Sequence, residues 1–285
     1  MFYLLIATFL WGTSFIAGKI AYQMADPALV VLFRLILATI ITLPITFSFF
    51  KKEYIDWRIL KQLILLGILT HPVTFLLQFG GLKLTSASSA VTMIGLEPLM
   101  VALVGQIFFR EQVCKKIWIL SFLAFIGVFL VAGVSNSSDI SLVGCLLVLF
   151  STVVVAFWLR LSKKMLQTMD TKFYTALTIQ LGTLFGLPLI LIATDNWNIN
   201  FSISGIWAVI YLGVACSIVA VWLWNKGLTY ISASHSGIFV ALEPVWGVLL
   251  AVVCLREHIN ITTLIGIILV ITSAGLAMLS DKQKN

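Results

Sequence analysis

Two glutamates, each followed directly by a proline, stand 146 residues apart: Glu97-Pro98 and Glu243-Pro244. Each lies near the middle of an apolar run about as long as a bilayer is thick. An ionisable group at that depth is expensive, and it typically marks a proton or substrate path. The functional reading is that each carboxylate binds a proton or a substrate ammonium group. A structural reading stays open beside it: a protonated glutamate can bond the carbonyl freed by the following proline and lock a helix kink.

Other residues could join this chemistry. His71 precedes Pro72, and Gln78 follows two turns later in the same segment. A proline kink beside a polar ring can line a cavity. His71 could relay protons or touch substrate, or it could bond to the kinked backbone. His235, inside the small-residue run from Ser232 to Gly237, carries the same two readings. Arg34 and Lys19 could attract a substrate carboxylate or reach toward the headgroups, and Asp26 between them is a candidate ion-pair partner. Trp246, three residues after Glu243, is expected to share its helix face and lean into the same cavity. Such a pocket, with aromatic walls and few polar groups, suits an amphipathic metabolite or a larger amino acid.

The elements that must hold these residues follow from composition. The 285 residues are 61% hydrophobic and 10% charged, with a mean hydropathy of +1.10. Soluble domains carry about 25% charged residues, so this chain lacks the polar surface to be one. Backbone groups facing lipid must bond within their own segment, which predicts helices throughout. Ten apolar runs can be marked off: 2–22, 28–49, 59–80, 85–109, 117–134, 140–161, 173–193, 205–228, 232–255 and 261–280. Of the 18 Lys and Arg, 14 fall in alternate loops and the C-terminal tail, which are cytoplasmic if both termini are. The lipid bilayer is thus the first expected partner. The net charge of +7 is dispersed over these short loops, so no nucleic acid is expected.

The glutamates belong to a longer repeated phrase. Gly81, Ser86-Ala87-Ser88, Leu96-Glu97-Pro98 and Arg110-Glu111 recur at a constant offset of 146 as Gly227, Ser232-Ala233-Ser234, Leu242-Glu243-Pro244 and Arg256-Glu257. Two halves are expected, 1–135 and 136–285. Five spans per half is an odd number, so the halves must cross the membrane in opposite senses. Inverted repeats of this kind can open to either side by turns. Small residues at 86–90 and 232–237 are expected to let neighbouring helices approach closely. Cys114, Cys145, Cys216 and Cys254 show no paired spacing, and no nucleophile elbow, HExxH or Walker A motif occurs. The expectation is a non-enzyme with no metal and no cofactor, driven by a gradient, with protons as a candidate coupling ion.

At this point the chain resembles a known family. Leu10 to Phe15, then Pro27 and Arg34, are similar to the opening of an EamA-type domain of the drug/metabolite transporter superfamily; Ala87 to Glu111, with Pro98, is similar to its ending and recurs from Ala233 to Glu257. The resemblance implies an all-α integral membrane protein with ten transmembrane helices as two inverted five-helix EamA repeats. It also implies a central cavity, cytoplasmic termini, the bacterial inner membrane and efflux of small-molecule substrates such as amino acids. Trp11 and Arg34 are marked by it as cavity or gate residues. The second half departs at its start, where Phe157, Trp158 and Leu159 replace Trp11, Gly12 and Thr13, and Phe173 replaces Pro27. Two rival functions are a flippase for a lipid-linked substrate and a non-transporting membrane scaffold or sensor.

Overall fold

The computed structural model describes residues 2–49, 56–85, 90, 93–132, 141–255 and 261–282. The small residues 86–89, the loop at 135–139, Lys51, Lys52, Lys284 and the Arg256-Glu257-His258 stretch lie outside the described residues. Among those described, regular structure is helical and no strand occurs.

The first helices are α1 (Phe2–Tyr22), α2 (Pro27–Ser48) and α3 (Trp57–Ile68), the last continuing through a π segment (Leu69–Val73) into α4 (Thr74–Leu84). Then come α5 (Glu97–Phe108) and α6 (Lys115–Ala132). The pattern resumes with α7 (Leu142–Met165), α8 (Thr171–Ile192) and α9 (Ile203–Tyr211), which passes through a second π segment (Leu212–Val219) into α10 (Ala220–Leu228). The series closes with α11 (Ala233–Val240), α12 (Leu242–Leu255) and α13 (Ile261–Lys282). Among the described residues six helical stretches are long and apolar enough to cross a membrane: Phe2–Tyr22, Pro27–Ser48, Trp57–Leu84, Leu142–Met165, Thr171–Ile192 and Ile203–Leu228. Glu97–Phe108 and Leu264–Ala277 are shorter apolar helices.

Caps explain where several helices begin. Asp26, Asp56, Ser141, Asp170, Ser202 and Ser232 each accept a hydrogen bond from a backbone N–H in the first turn that follows. The two Glu-Pro runs are broken rather than merely kinked. Leu96 interrupts the first run and Ala241 the second, each close before its glutamate, and α5 and α12 start at Glu97 and Leu242. Proline lacks an N–H and is tolerated in a first turn, which is where Pro98 and Pro244 lie.

The bundle is apolar outside, and its apolar core encloses a set of buried polar groups. Ile40, Phe47, Phe122 and Ile268 are exposed, while Arg34, His71, Glu97, Asn225 and Glu243 are buried. This is the distribution expected when lipid is the solvent. Packing links the two halves of the sequence: α4 lies on α7, and α1 on α10; α5 lies on α7, and α1 on α12. Close crossings use glycine. A Cβ on Gly67 of α3 would sit 2.6 Å from Thr178 O and 2.7 Å from Gly182 N of α8. Likewise a Cβ on Gly237 would sit 2.9 Å from Val101 Cβ, so the small-residue run at 232–237 does bring α11 against α5. Gly67→Val must push two backbones apart. It is expected to cost about 1–3 kcal/mol and to lower the Tm of the detergent-solubilised protein; an unchanged Tm would mean that the crossing tolerates a side chain.

Candidate functional site

Both glutamates open on one central cavity. Its walls include Glu97, Glu243, Arg34, Gln78, Ser14, Thr70 and Thr74 as polar groups, with Trp11, Trp158, Trp224, Phe75 and Phe79 as aromatic ones. Its volume is about 60 Å³, room for a few waters. The broken runs explain how the carboxyls arrive there. Each half-helix starts beside the cavity, and its first N–H groups have no partner within the helix, so the site joins a carboxyl to a helix N-terminus. The break is made by the turn before each proline.

Arg34 is 1% exposed. Its Nε donates to Ser217 Oγ at 2.9 Å, and its guanidinium carbon lies 4.2 Å from the Phe75 ring centre and 5.8 Å from that of Phe79. Stacking of this kind is worth about 0.5–2 kcal/mol. Among the described residues no carboxylate lies within ion-pair distance of it. The expected Asp26 contact is not made. Asp26 caps α2 through Ala28 N at 3.0 Å and pairs with Lys83 at 3.3 Å, while Lys83 also reaches Asp195 at 2.8 Å. Lys19 is exposed.

The π segments shape the cavity wall. In the first, Thr74 Oγ donates to Leu69 O at 2.7 Å; in the second, Ser217 Oγ donates to Leu212 O at 3.0 Å. Threonine and serine thus add a side-chain donor to a carbonyl at the start of each widened turn. This also corrects the reading of His71. It is buried, it lies beside the cavity without lining it, and neither ring nitrogen has a hydrogen-bond partner among the described residues. Thr74 gives both its backbone N–H and its hydroxyl to this stretch, at Leu69 O. Pro72 packs instead on Gly186 of α8, where a Cβ would be 2.3 Å from its Cγ.

Trp11 and Gln78 line the cavity as expected, and Trp11 Nε1 donates to Cys216 O at 3.1 Å. Trp246 does not line it. Its Nε1 donates to Thr8 Oγ at 3.3 Å and its ring meets Phe9 edge-on at 5.6 Å, because the α1–α12 crossing draws it toward α1. His235 is also elsewhere, in a capping contact with Ser232 Oγ at 2.5 Å from its Nδ1. The residues that sequence reasoning underrated are Trp158, Trp224 and Ser217. One signal pointed to Trp224: it stands 146 residues after Gln78. Trp158→Leu removes a cavity wall and is expected to change substrate KM about tenfold, whereas Trp246→Phe should stay within about twofold. The reverse order in a liposome transport assay would return Trp246 to the site.

Comparison with known proteins bears on this geometry. The sequence profile of the EamA-like transporter family matches residues 1–133 and 142–279. An uncharacterized transporter of Haemophilus influenzae is 44% identical over 142 residues, covering 48% of this chain and 84% of that protein. An uncharacterized transporter of Archaeoglobus fulgidus is similar over nearly the full length, 28% identical over 286 residues, 98% of this chain and 96% of that one. A solved crystal structure shares the fold with a TM-score of 0.78 at 18% identity, over 100% of this chain and 98% of that one.

Proposed function

Given that the chain belongs to the EamA-like transporter family and is a multi-pass membrane transporter, we propose that it is a gradient-driven exporter of amino acids or related amphipathic metabolites. It works by alternating access about the cavity between Glu97 and Glu243, with protons as the coupling ion. The observation that carries the reading is the make-up of that cavity: a buried guanidinium with no carboxylate partner among the described residues, two buried carboxyls and aromatic walls around one space. A substrate carboxylate fits Arg34, its ammonium fits a glutamate, and its apolar part fits the indoles. The present volume is too small for such a solute, so loading requires the halves to part.

The architecture proposed for this cycle is ten spans in two inverted repeats, 1–135 and 136–285, in the bacterial inner membrane with both termini in the cytoplasm. Its support is the exchange of packing partners. Helices offset by 146 residues swap roles, α4 on α7 with α10 on α1, and α5 on α7 with α12 on α1, as a twofold relation between the halves demands; five spans in each half would put its axis in the membrane plane. The test is counterflow of a labelled amino acid panel by purified protein in liposomes, with and without an imposed proton gradient. Saturable counterflow of at least one zwitterionic solute, accelerated by the gradient, is the expected result. Movement of lipid-linked substrates alone, or of no solute at all, would overturn the proposal.

A further inference from the structure

A polar cluster beyond the cavity joins the two halves of the sequence at one end of the bundle. Arg160, on α7, donates from Nε to Glu111 Oε1 at 2.9 Å and from Nη2 to Glu111 Oε2 at 2.9 Å. The same Nη2 donates to Val101 O at 2.6 Å and to Ser234 Oγ at 3.2 Å, while Nη1 donates to Ala156 O at 3.0 Å. Ser234 Oγ in turn donates to Glu111 Oε2 at 3.1 Å. Arg160 is 6% exposed. The guanidinium therefore ties α7 to α5, to the turn after α5 and to α11, through a two-toothed pair of the kind that fixes geometry as well as charge.

The chain is shaped to make this contact. Arg110 takes a left-handed φ of 53°, which turns the backbone so that Glu111 N donates to Gly105 O at 3.0 Å and its carboxylate faces back to α7. A Cβ on Gly105 would sit 2.0 Å from Arg160 Nη2 and 2.6 Å from Glu111 Oε2, so only glycine leaves room for the pair. Glu111 and Ser234 match Glu257 and Ser88 in the other repeat of the sequence, but the guanidinium and the glycine have no match there. At the offset of 146, Arg160 corresponds to Ser14 and Gly105 to Ala251.

Its position suits a gate. Trp158 and Trp224 line the cavity, and Arg160 lies two residues beyond Trp158 on α7, toward the end that carries Lys163 and Lys164. The ion group Lys83, Asp26 and Asp195 lies at the opposite end, since Gly81 packs on Gly144 near the start of α7. That group is more open to solvent, with Lys83 43% and Asp195 77% exposed and Asp26 5%. Exposed pairs hold weakly, whereas the Arg160 side chain is 3% exposed and only its partner Glu111, at 38%, reaches solvent.

We propose that Arg160, Glu111 and Ser234 form a one-sided latch that holds the cavity shut at the basic-loop end and must open in each transport cycle. The latch rests on the alternating-access reading, and its test separates the two. The probe is a membrane-impermeant maleimide applied from either side of sealed vesicles. It reads a single Val155→Cys reporter on the cavity wall, in full-length protein whose native cysteines are replaced. Arg160→Gln, Glu111→Gln and Gly105→Ala reach the latch by different routes. Each is expected to raise labelling from the basic-loop side about tenfold, with no rise from the other side. Ser234→Ala, which removes one contact, gives a smaller rise and serves if a glutamine variant fails to insert. Unchanged labelling in the inserted variants, or an equal rise from both sides, overturns the latch; if the parent reporter still becomes reachable from each side by turns, alternating access stands without it. A parent reporter reachable from one side only, under every condition, overturns both.

Discussion

Replacing Arg34 by glutamine is expected to raise the KM for a carboxylate-bearing substrate by about 30-fold or more while leaving the folded protein intact. The size follows from geometry. Truncating one member of a buried, hydrogen-bonded charge pair costs about 2–5 kcal/mol, and 1.4 kcal/mol is tenfold. The fold should survive because this cation has no carboxylate partner among the described residues; its fixed contacts are one hydroxyl and two aromatic faces. Removing a desolvated, unpaired charge does not weaken the fold and can strengthen it. Arg34→Lys is not expected to rescue, since a point charge cannot reproduce the planar fork or the stacking on Phe75. Initial rates for matched substrates with and without a carboxylate, alongside Tm, check this. An equal loss for both substrates with a fall in Tm would make Arg34 a structural residue.

Glu97→Gln combined with Glu243→Gln should abolish proton-driven accumulation while downhill counterflow continues. For one proton exchanged per solute, a gradient of ~1 pH unit supplies about 1.36 kcal/mol and hence about tenfold accumulation. The double variant should show none, and its counterflow should no longer vary with pH. Glutamine keeps the shape and hydrogen-bonding capacity of the side chain but cannot release a proton, so the comparison isolates titration from packing. Both carboxyls face one cavity. The single variants report whether the load is shared: if one carboxyl carries the proton, only its variant loses accumulation. Pumping and pH dependence retained in the double variant would end the proton role.

Arg34 and Trp246 show how far sequence reading reached. Arg34 sits deep in an apolar run, where a cation is costly, and the EamA resemblance marked it as a cavity or gate residue before any contact was known. Trp246 was expected to follow Glu243 into the cavity on helical spacing alone. Spacing fixes which face a residue shares on its own helix, not which neighbour that face meets, and the crossing with α1 turned this ring toward Thr8 and Phe9. The π segments divide the same way. Pro72 announced the first, but the second carries Ile218 at the matching position and gave no signal.

The sequence by itself determined that the chain is helical and membrane-embedded, that a phrase recurs once at an offset of 146 residues, and that two glutamates fall within apolar runs. Hydropathy, backbone satisfaction and the offset are properties of residues taken along the chain. Only the tertiary structure decided that Glu97, Glu243 and Arg34 line one space, that His71 lies beside that space without lining it, and that Arg160 closes on Glu111. Those facts depend on how far helices distant in sequence approach one another. That distance is set by glycines meeting backbones, such as Gly67 on Gly182 and Gly105 beneath Arg160, and by no pattern within a single helix.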